Sequence, residues 1–214
     1  MHSNTFIAPL NIHPSWIPML TSEILALLND IEHKTMIKNQ LITPAPHHIL
    51  RFLEMDLHKI KVLILGQDPY PQQGVATGRA FEVNGLNSWT DKFRNVSLKN
   101  ILRTIHKAYN GKALKYSQIL PTINEGTRLP LSDDFRILPP NKLFEYWWEK
   151  QNVLLLNTAF TCQVGKPNSH TRIWSPFTRR VLEFIAHENP NITWFLWGNN
   201  AQGVVEGIPI SQKN

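Results

Sequence analysis

The chain alternates short apolar runs with segments in which apolar residues recur at helical spacing. The runs, apolar or nearly so, occupy residues 62–65, 153–156 and 192–197. Runs of this length without polar alternation are typical of strands buried on both faces. Because helical segments separate them, the strands are expected to pair in parallel. The pattern predicts an α/β protein, a three-layer α/β/α fold with a short central parallel sheet.

Helical spacing is clearest in three segments. One follows Ser22, one begins at Ser97 as an N-cap, and one begins at Ser175, an N-cap with Pro176 at the first helical position. Their apolar faces are Ile24, Leu27, Leu28 and Ile31; Leu98, Ile101, Leu102 and Ile105; and Phe177, Val181 and Ile185. Shorter helices are expected at 49–54 and 141–150. Residues 110–141 lack periodicity, and we expect a long excursion there, beside the functional site.

Polar residues stand where the predicted strands end. Asp68 follows the first strand, Asn157 ends the second, and Asn199 follows the third. Open α/β sheets keep their sites at the carboxyl ends of parallel strands. Prolines flank Tyr70 and stiffen the turn that holds it and Asp68. An ordinary strand-to-helix loop with a surface aspartate would show the same local pattern.

Length and composition fit a single domain spanning residues 1–214. No apolar run approaches transmembrane length and no signal segment opens the chain, so we expect an intracellular protein without membrane contact. Cys162 is the sole cysteine, which excludes an intrachain disulfide and a four-cysteine cluster and suggests an inert, partly buried thiol. His47 and His48 lack partners at metal-ligand spacing and are interpreted as surface or capping residues.

The positive charge is unevenly distributed. The net charge is +6, yet residues 1–60 contain four Lys or Arg against five Asp or Glu, so the remainder has a net charge of +7. A basic portion that includes the strand-end residues suits a polyanionic partner such as nucleic acid. A basic but otherwise ordinary surface is the alternative.

Several segments, including those that contain the polar residues at the strand ends, also resemble known motifs. Residues 66–70, Gly-Gln-Asp-Pro-Tyr, closely resemble the water-activating motif of family-1 uracil-DNA glycosylases. Residues 78–81 resemble that family's stacking-phenylalanine segment, and residues 154–158 its uracil-reading strand. The serine and helix start at 97–101 are similar to the family's DNA-backbone segment, although Asn95 and Val96 replace its prolines. Residues 168–170 and Trp174 continue the pattern, and 195–202 resemble its Gly-Ser loop with Asn199 in the serine's place.

The resemblance, which spans about Trp16 to Gln202, implies a monofunctional base-excision repair enzyme that needs no cofactor or metal and acts on uracil-containing DNA. We expect it to be a monomer. The resemblance also implies a cytoplasmic location, or a nuclear one in a eukaryotic or viral setting. Asp68 would orient water and stabilise positive charge on the sugar. The implied uracil contacts are Gln67, Tyr70, Phe81 and Asn157, and the implied DNA contacts are Ser97, Lys99, Lys166 and Asn199. His170 is interpreted as structural, with support of the site residues from behind as the alternative.

Each implied uracil contact has a chemical reason. The base must leave the stack to be reached, and Phe81 would then stack on its ring. Asn157 can both accept and donate, which matches uracil O4 and N3–H, whereas cytosine presents the opposite pattern. Tyr70 would occupy the space of the thymine 5-methyl group. Backbone amides near Gln67 would be further donors to the base.

One departure from the family pattern is serious. The resemblance leads us to expect a further strand and a His-Pro-Ser-Pro segment, but no histidine follows His187. The expectation is therefore that the chain is truncated or its function altered, and that the sheet lacks its last strand, leaving an exposed edge. A glycosylase-fold protein that binds DNA with little or no catalysis is the main alternative. A flavodoxin-like domain for a phosphorylated small molecule is more distant, since no glycine-rich phosphate fingerprint is present.

Overall fold

The computed structural model describes residues 4–37, 40–125, 135–210 and 212–213, and it divides into two compact units. Unit 1 consists of Met1–Ala80 and Gln151–Asn214, and unit 2 consists of Phe81–Lys150. That residues 1–214 form one domain stays a prediction.

Strands and helices are numbered in chain order over the described residues. The strands are β1 (Ile42–Thr43), β2 (Val62–Gly66), β3 (Ile123–Glu125), β4 (Phe135–Ile137), β5 (Val153–Asn157), β6 (Cys162–Gln163), β7 (Thr193–Leu196) and β8 (Gln212–Lys213). The α-helices are α1 (Ser22–Thr35), α2 (Val96–Asn110), α3 (Tyr116–Ile119), α4 (Pro140–Glu149), α5 (Thr171–Glu188) and α6 (Asn199–Val204). Short 3₁₀ helices occupy Pro14–Met19, Pro46–His48, Arg51–Glu54, Leu57–Lys59 and Leu120–Thr122.

The main sheet belongs to unit 1 and has the strand order β5-β2-β7-β8, with every pair parallel. Val62 pairs with Val153 on one side and with Thr193 on the other. All of β5 is buried, as is β2 after its first residue, which agrees with their unbroken apolar sequences. The prediction of an α/β fold with a central parallel sheet is confirmed.

The expected loss of the last strand is wrong. Within the described residues, β8 pairs in parallel with β7, with Gln212 opposite Thr193 and Lys213 opposite Trp194. The sequence gives no sign of this strand because it has two residues, both polar, and a parallel pair needs only backbone groups. A hydrophobic pattern therefore cannot reveal it.

Helix α5 begins earlier than predicted. We expected Ser175 as the N-cap, but the helix starts at Thr171, and the His170 carbonyl accepts hydrogen bonds from the amides of Ile173 and Trp174, both at 3.0 Å. Trp174 is fully buried and packs edge-to-face against Phe160 and Phe177. Burial of this aromatic cluster extends the helix toward its N-terminus, so that Pro176 lies inside it.

Helix α2 dominates unit 2. Its N-cap is Asn95 rather than the predicted Ser97, which lies within the first turn. The predicted face is buried at Leu98, Ile101 and Leu102, while His106 is buried in place of Ile105. The predicted excursion at 110–141 contains α3, a 3₁₀ turn and the parallel pair β3–β4. Residues 126–134 of that excursion lie outside the described residues.

Two other expectations concern helices. The helix predicted at 141–150 is α4, Pro140–Glu149. The helix predicted at 49–54 is a single 3₁₀ turn, Arg51–Glu54. In the part of the chain that the structure describes, no helix is both long and apolar enough to cross a membrane.

Candidate active site

The candidate site lies at the carboxyl ends of β2 and β5 in unit 1. These strands run side by side, and Gly66, the last residue of β2, pairs with Asn157, the last residue of β5. Asn157 is buried, whereas Gln67, one residue beyond β2, is exposed. The sheet register thus places the start of the Gln67–Asp68 loop beside Asn157, as the sequence predicted from the two strand ends.

Backbone bonds tie the loop after β2 to the loop after β5. The Thr158 amide donates to the Gly66 carbonyl at 3.0 Å, and the Ala159 amide donates to the Gln67 carbonyl at 2.9 Å. The Thr158 hydroxyl also donates to the Gln67 carbonyl, at 2.7 Å. Gln67 is therefore held by two donors from the neighbouring strand end, and Thr158 is a supporting residue to which the sequence analysis gave no role.

Asp68 is half-buried and held by one backbone donor. Its Oδ2 accepts a hydrogen bond from the Asn168 amide at 2.6 Å. Burial raises the pKa of the Asp68 carboxyl, because it penalises the charged form, and the Asn168 hydrogen bond acts in the opposite direction. In the described part of the chain Oδ1 makes no hydrogen bond, so one oxygen of the carboxylate is available.

Asn168 contacts both residues of the loop. Besides the bond to Asp68, its side-chain Oδ1 accepts from Gln67 Nε2 at 2.7 Å. Its φ is 62°, in the left-handed region. Asn168 belongs to a segment that matches the family pattern, but its sequence context alone indicates no role for it. Its preference for left-handed backbone was a local signal, but its two partners are about a hundred residues away in sequence.

Cys162 lies close to Asp68 and is inert. The thiol is fully buried and donates a weak hydrogen bond to the Pro69 carbonyl at 3.4 Å. Burial, together with the negative charge of Asp68, raises the pKa of Cys162 to about 12, so the thiol stays protonated. It is more deeply buried than the sequence suggested.

His170 belongs to a buried network. Trp174 Nε1 donates to the Thr161 hydroxyl at 2.7 Å, and that hydroxyl lies 2.9 Å from His170 Nδ1. The hydroxyl can accept from tryptophan and donate to Nδ1 at the same time, in the tautomer that carries the histidine proton on Nε2. Burial lowers the pKa of His170, so the ring is neutral at neutral pH. These contacts favour the structural interpretation.

The other predicted site residues are distributed over both units. In unit 1, Tyr70 is half-exposed, Lys166 is exposed, and Asn199 is the exposed first residue of α6. Phe81, Ser97 and Lys99 belong to unit 2. The Phe81 backbone is left-handed, with φ 68°, and Lys99 Nζ lies 5.2 Å from the ring centroids of both Phe93 and Tyr116.

The described histidines elsewhere in unit 1 do not assemble a metal site. His47 is exposed and His48 half-buried, and burial together with the charge of His47 lowers the pKa of His48 to about 4. Among the described residues, no group of three or more His, Cys, Asp or Glu could hold a metal ion.

Comparison with known proteins identifies the family. A model of the uracil DNA glycosylase superfamily matches residues 54–213. The chain belongs to this superfamily. The resemblance noted from the sequence motifs is thereby confirmed, and the flavodoxin-like alternative is set aside.

Relatives in this superfamily match most of the chain. The uracil-DNA glycosylase of Borrelia turicatae (strain 91E135) is 32% identical over 210 residues, which cover 95% of this chain and 80% of the relative. That of Campylobacter curvus (strain 525.92) is 32% identical over 202 residues, covering 92% and 74%.

Solved glycosylase structures share the fold. The wild-type UNG of Nitratifractor salsuginis aligns with a TM-score of 0.65 at 22% identity, covering 94% of this chain and 82% of that one. Mimivirus uracil-DNA glycosylase also aligns with a TM-score of 0.65, at 20% identity, covering 94% and 66%. These likenesses support the α/β/α fold.

Proposed function

We propose that this chain is a uracil-DNA glycosylase, which hydrolyses the N-glycosidic bond of deoxyuridine in DNA during base-excision repair. The observation that supports this most strongly is the Asp68 carboxylate, held at the carboxyl end of β2 by the Asn168 amide with Oδ1 available. Water attacks the sugar C1′ as the bond to uracil N1 breaks, and the bonding electron pair leaves with the base. The departing uracil anion takes up the proton that the attacking water loses, so the products are free uracil and an abasic site.

Asp68 would act on the developing charge. As the glycosidic bond breaks, positive charge grows on the sugar, and a fixed carboxylate stabilises it electrostatically. Oδ1 would orient the attacking water by accepting a hydrogen bond from its O–H group. Because Asp68 must be ionised for both roles, activity is expected to fall as the pH drops through its pKa, which burial raises above the usual aspartate value. No cofactor is required by this chemistry.

The base-reading groups are assigned from the family motifs. Asn157 would accept from uracil N3–H and donate to O4, and its burial at the end of β5 supports a fixed orientation. Tyr70 would exclude the thymine 5-methyl group, and Phe81 would stack on the extruded ring. Backbone amides near Gln67 would complete recognition of the base.

Asn157→Asp should weaken uracil recognition. The substitution keeps the shape but replaces the amide donor with an acceptor, so the match to uracil O4 is lost while cytosine N4–H₂ gains an acceptor. A site that loses one base-pairing contact is expected to discriminate about 10–100-fold less well. The measurement is kcat/KM on matched uracil and cytosine oligonucleotides.

Asn191→Asp is the matched control, because Asn191 is exposed just before β7, at the opposite end of the sheet. It should leave both values unchanged. Equal uracil-to-cytosine ratios for wild type and Asn157→Asp would remove Asn157 from the proposed site.

DNA contact is assigned to Ser97, Lys99, Lys166 and Asn199. Removing one lysine–phosphate contact should reduce the slope of log binding constant against log salt by about 0.7 for single-stranded DNA and about 0.9 for duplex. Lys99→Ala and Lys166→Ala are the test variants, measured by fluorescence anisotropy from low to physiological salt.

Lys34→Ala is the control, since Lys34 is ion-paired with Asp30 at 2.6 Å on α1. It should keep the wild-type slope. A lysine variant whose slope also equals that of the wild type makes no phosphate contact.

DNA binding with weak or absent turnover is the second candidate function. The family pattern would place a histidine near the carboxyl end to support the departing base. Residues 188–214 contain no histidine, so this stretch does not supply that group. Tight binding of abasic DNA without uracil release would favour this candidate. We further propose that the protein works as a monomer, in the cytoplasm or nucleus.

A further inference from the structure

Asn168 forms hydrogen bonds with two consecutive residues of the candidate site, Gln67 and Asp68. It lies between β6 and α5, outside the loop that contains Gln67 and Asp68. Its backbone amide donates to Asp68 Oδ2 at 2.6 Å, and its side-chain Oδ1 accepts from Gln67 Nε2 at 2.7 Å. One bond uses the backbone of Asn168 and the other its side chain, so a substitution can remove the second and keep the first.

We propose that Asn168 is a positioning residue for base excision, which orients the Asp68 carboxylate through its backbone and Gln67 through its side chain. The inference rests on the proposed function, because it assigns a role in the same site. Asn168 is not proposed to contact the substrate.

The left-handed backbone explains why asparagine occupies this position. With φ at 62°, most side chains would be strained, whereas glycine, asparagine and aspartate are tolerated. Glycine would keep the amide but lack the side-chain acceptor for Gln67 Nε2. Asparagine provides both the conformation and the acceptor.

The segment around Asn168 is fastened to its surroundings. The Gly165 amide donates to the Pro71 carbonyl at 2.8 Å, beyond the other end of the Asp68 loop. The Gln163 amide donates to the Ser169 hydroxyl at 2.7 Å, and His170, the residue after Ser169, is buried. An anchored donor can fix a carboxylate, whereas a mobile one would have to be ordered first.

The electrostatic surroundings of Asp68 make its titration a sensitive readout. A hydrogen bond from a backbone amide favours the charged carboxylate. Within the described residues, the titratable group coupled to Asp68 is Cys162, whose thiol is neutral because its pKa is raised to about 12. A carboxylate introduced at position 168 would repel the Asp68 carboxylate, and the two groups would titrate as a pair in which one pKa is raised.

Two variants separate the two bonds. Asn168→Gly keeps the left-handed backbone and the amide but deletes the bond to Gln67. We expect kcat/KM to fall about fivefold, the effect of one neutral hydrogen bond, with the acid limb of the pH profile unmoved. Asn168→Asp keeps the conformation and an acceptor for Gln67 but places a negative charge beside Asp68. We expect its acid limb to move up by about one pH unit.

Asn152→Asp is the matched control. Asn152 also has a left-handed backbone, with φ 55°, but it lies immediately before β5, at the opposite end of that strand. It introduces the same charge in the same conformation away from Asp68 and should leave the pH profile unchanged. Thermal unfolding of each variant verifies that it is folded at the assay temperature.

The decisive readout is the Asp68 titration, followed both by the pH profile of kcat/KM and by the NMR chemical shift of its carboxyl carbon. An upward shift in Asn168→Asp, absent in Asn168→Gly and Asn152→Asp, supports the proposal. An Asp68 titration that is the same in all four proteins overturns it. The NMR measurement needs no turnover, so it tests the role of Asn168 even if the wild type releases no uracil. The absence of uracil release would instead overturn the proposed function.

Discussion

Asp68→Asn is expected to lower the rate of uracil release by about 10²–10⁴-fold, the range for removing a general acid–base group, while binding of uracil-containing DNA stays close to wild type. Asparagine has the same shape, and its side-chain oxygen can still accept from the Asn168 amide. The negative charge that would stabilise the sugar is lost. Single-turnover uracil release and equilibrium binding, measured on the same oligonucleotide, separate the two effects.

Stability provides the control for this variant. Because the pKa of Asp68 is raised in the folded state, the folded protein binds more protons than the unfolded chain between the usual aspartate pKa and the raised one. Its free energy of unfolding therefore falls as the pH rises through that window. Asp68→Asn removes this fall, so its urea midpoint at neutral pH should equal or exceed that of the wild type. A folded variant with wild-type turnover would contradict the role of Asp68.

Gly78→Ala is expected to be among the most damaging single substitutions to the fold. Gly78 has φ 84°, and a Cβ built on it would overlap the backbone carbonyl oxygen of His48, which cannot move as a flexible side chain could. The conformation costs about 1–2 kcal/mol for an L-residue and overpacking about 1–3 kcal/mol. We therefore expect the free energy of unfolding to fall by about 3 kcal/mol in urea titrations.

Gly74→Ala isolates the conformational part of that loss. Gly74 has a similar φ of 75°, but an added Cβ would meet nothing within 4 Å. Its substitution should lower the free energy of unfolding by about 1 kcal/mol, the cost of a left-handed backbone alone. Equal losses in the two variants would show that close approach to His48 is not what requires glycine at position 78.

Predictions from the sequence succeeded where burial leaves a pattern. Strands β2 and β5 are unbroken apolar runs, and their parallel pairing brings the residues that follow them to one edge of the sheet. The apolar runs alone were therefore enough to predict that Asp68 and Asn157 lie at that edge. The motif around them indicated the family, which the family model then confirmed.

Predictions failed, or had no sequence signal to rest on, where the position of an element or residue depends on backbone geometry or on contacts distant in sequence. The two polar residues of β8 leave no hydrophobic pattern, and Ser97 fits the composition of an N-cap although Asn95 occupies that position. The early start of α5 depends on the burial of Trp174. Asn168 reaches the site through a long-range backbone bond, which no local pattern can reveal.

The most direct test of the account is the initial rate at which the 214-residue chain releases free uracil from a single-stranded oligonucleotide containing one deoxyuridine. The same oligonucleotide with thymine at that position is the control, and uracil is quantified by mass spectrometry. We expect a single strand to be the better substrate, because its base is already unpaired and extrusion costs less free energy. We predict release of uracil and none of thymine. No free uracil, with abasic DNA still bound, would contradict the proposed enzymatic function.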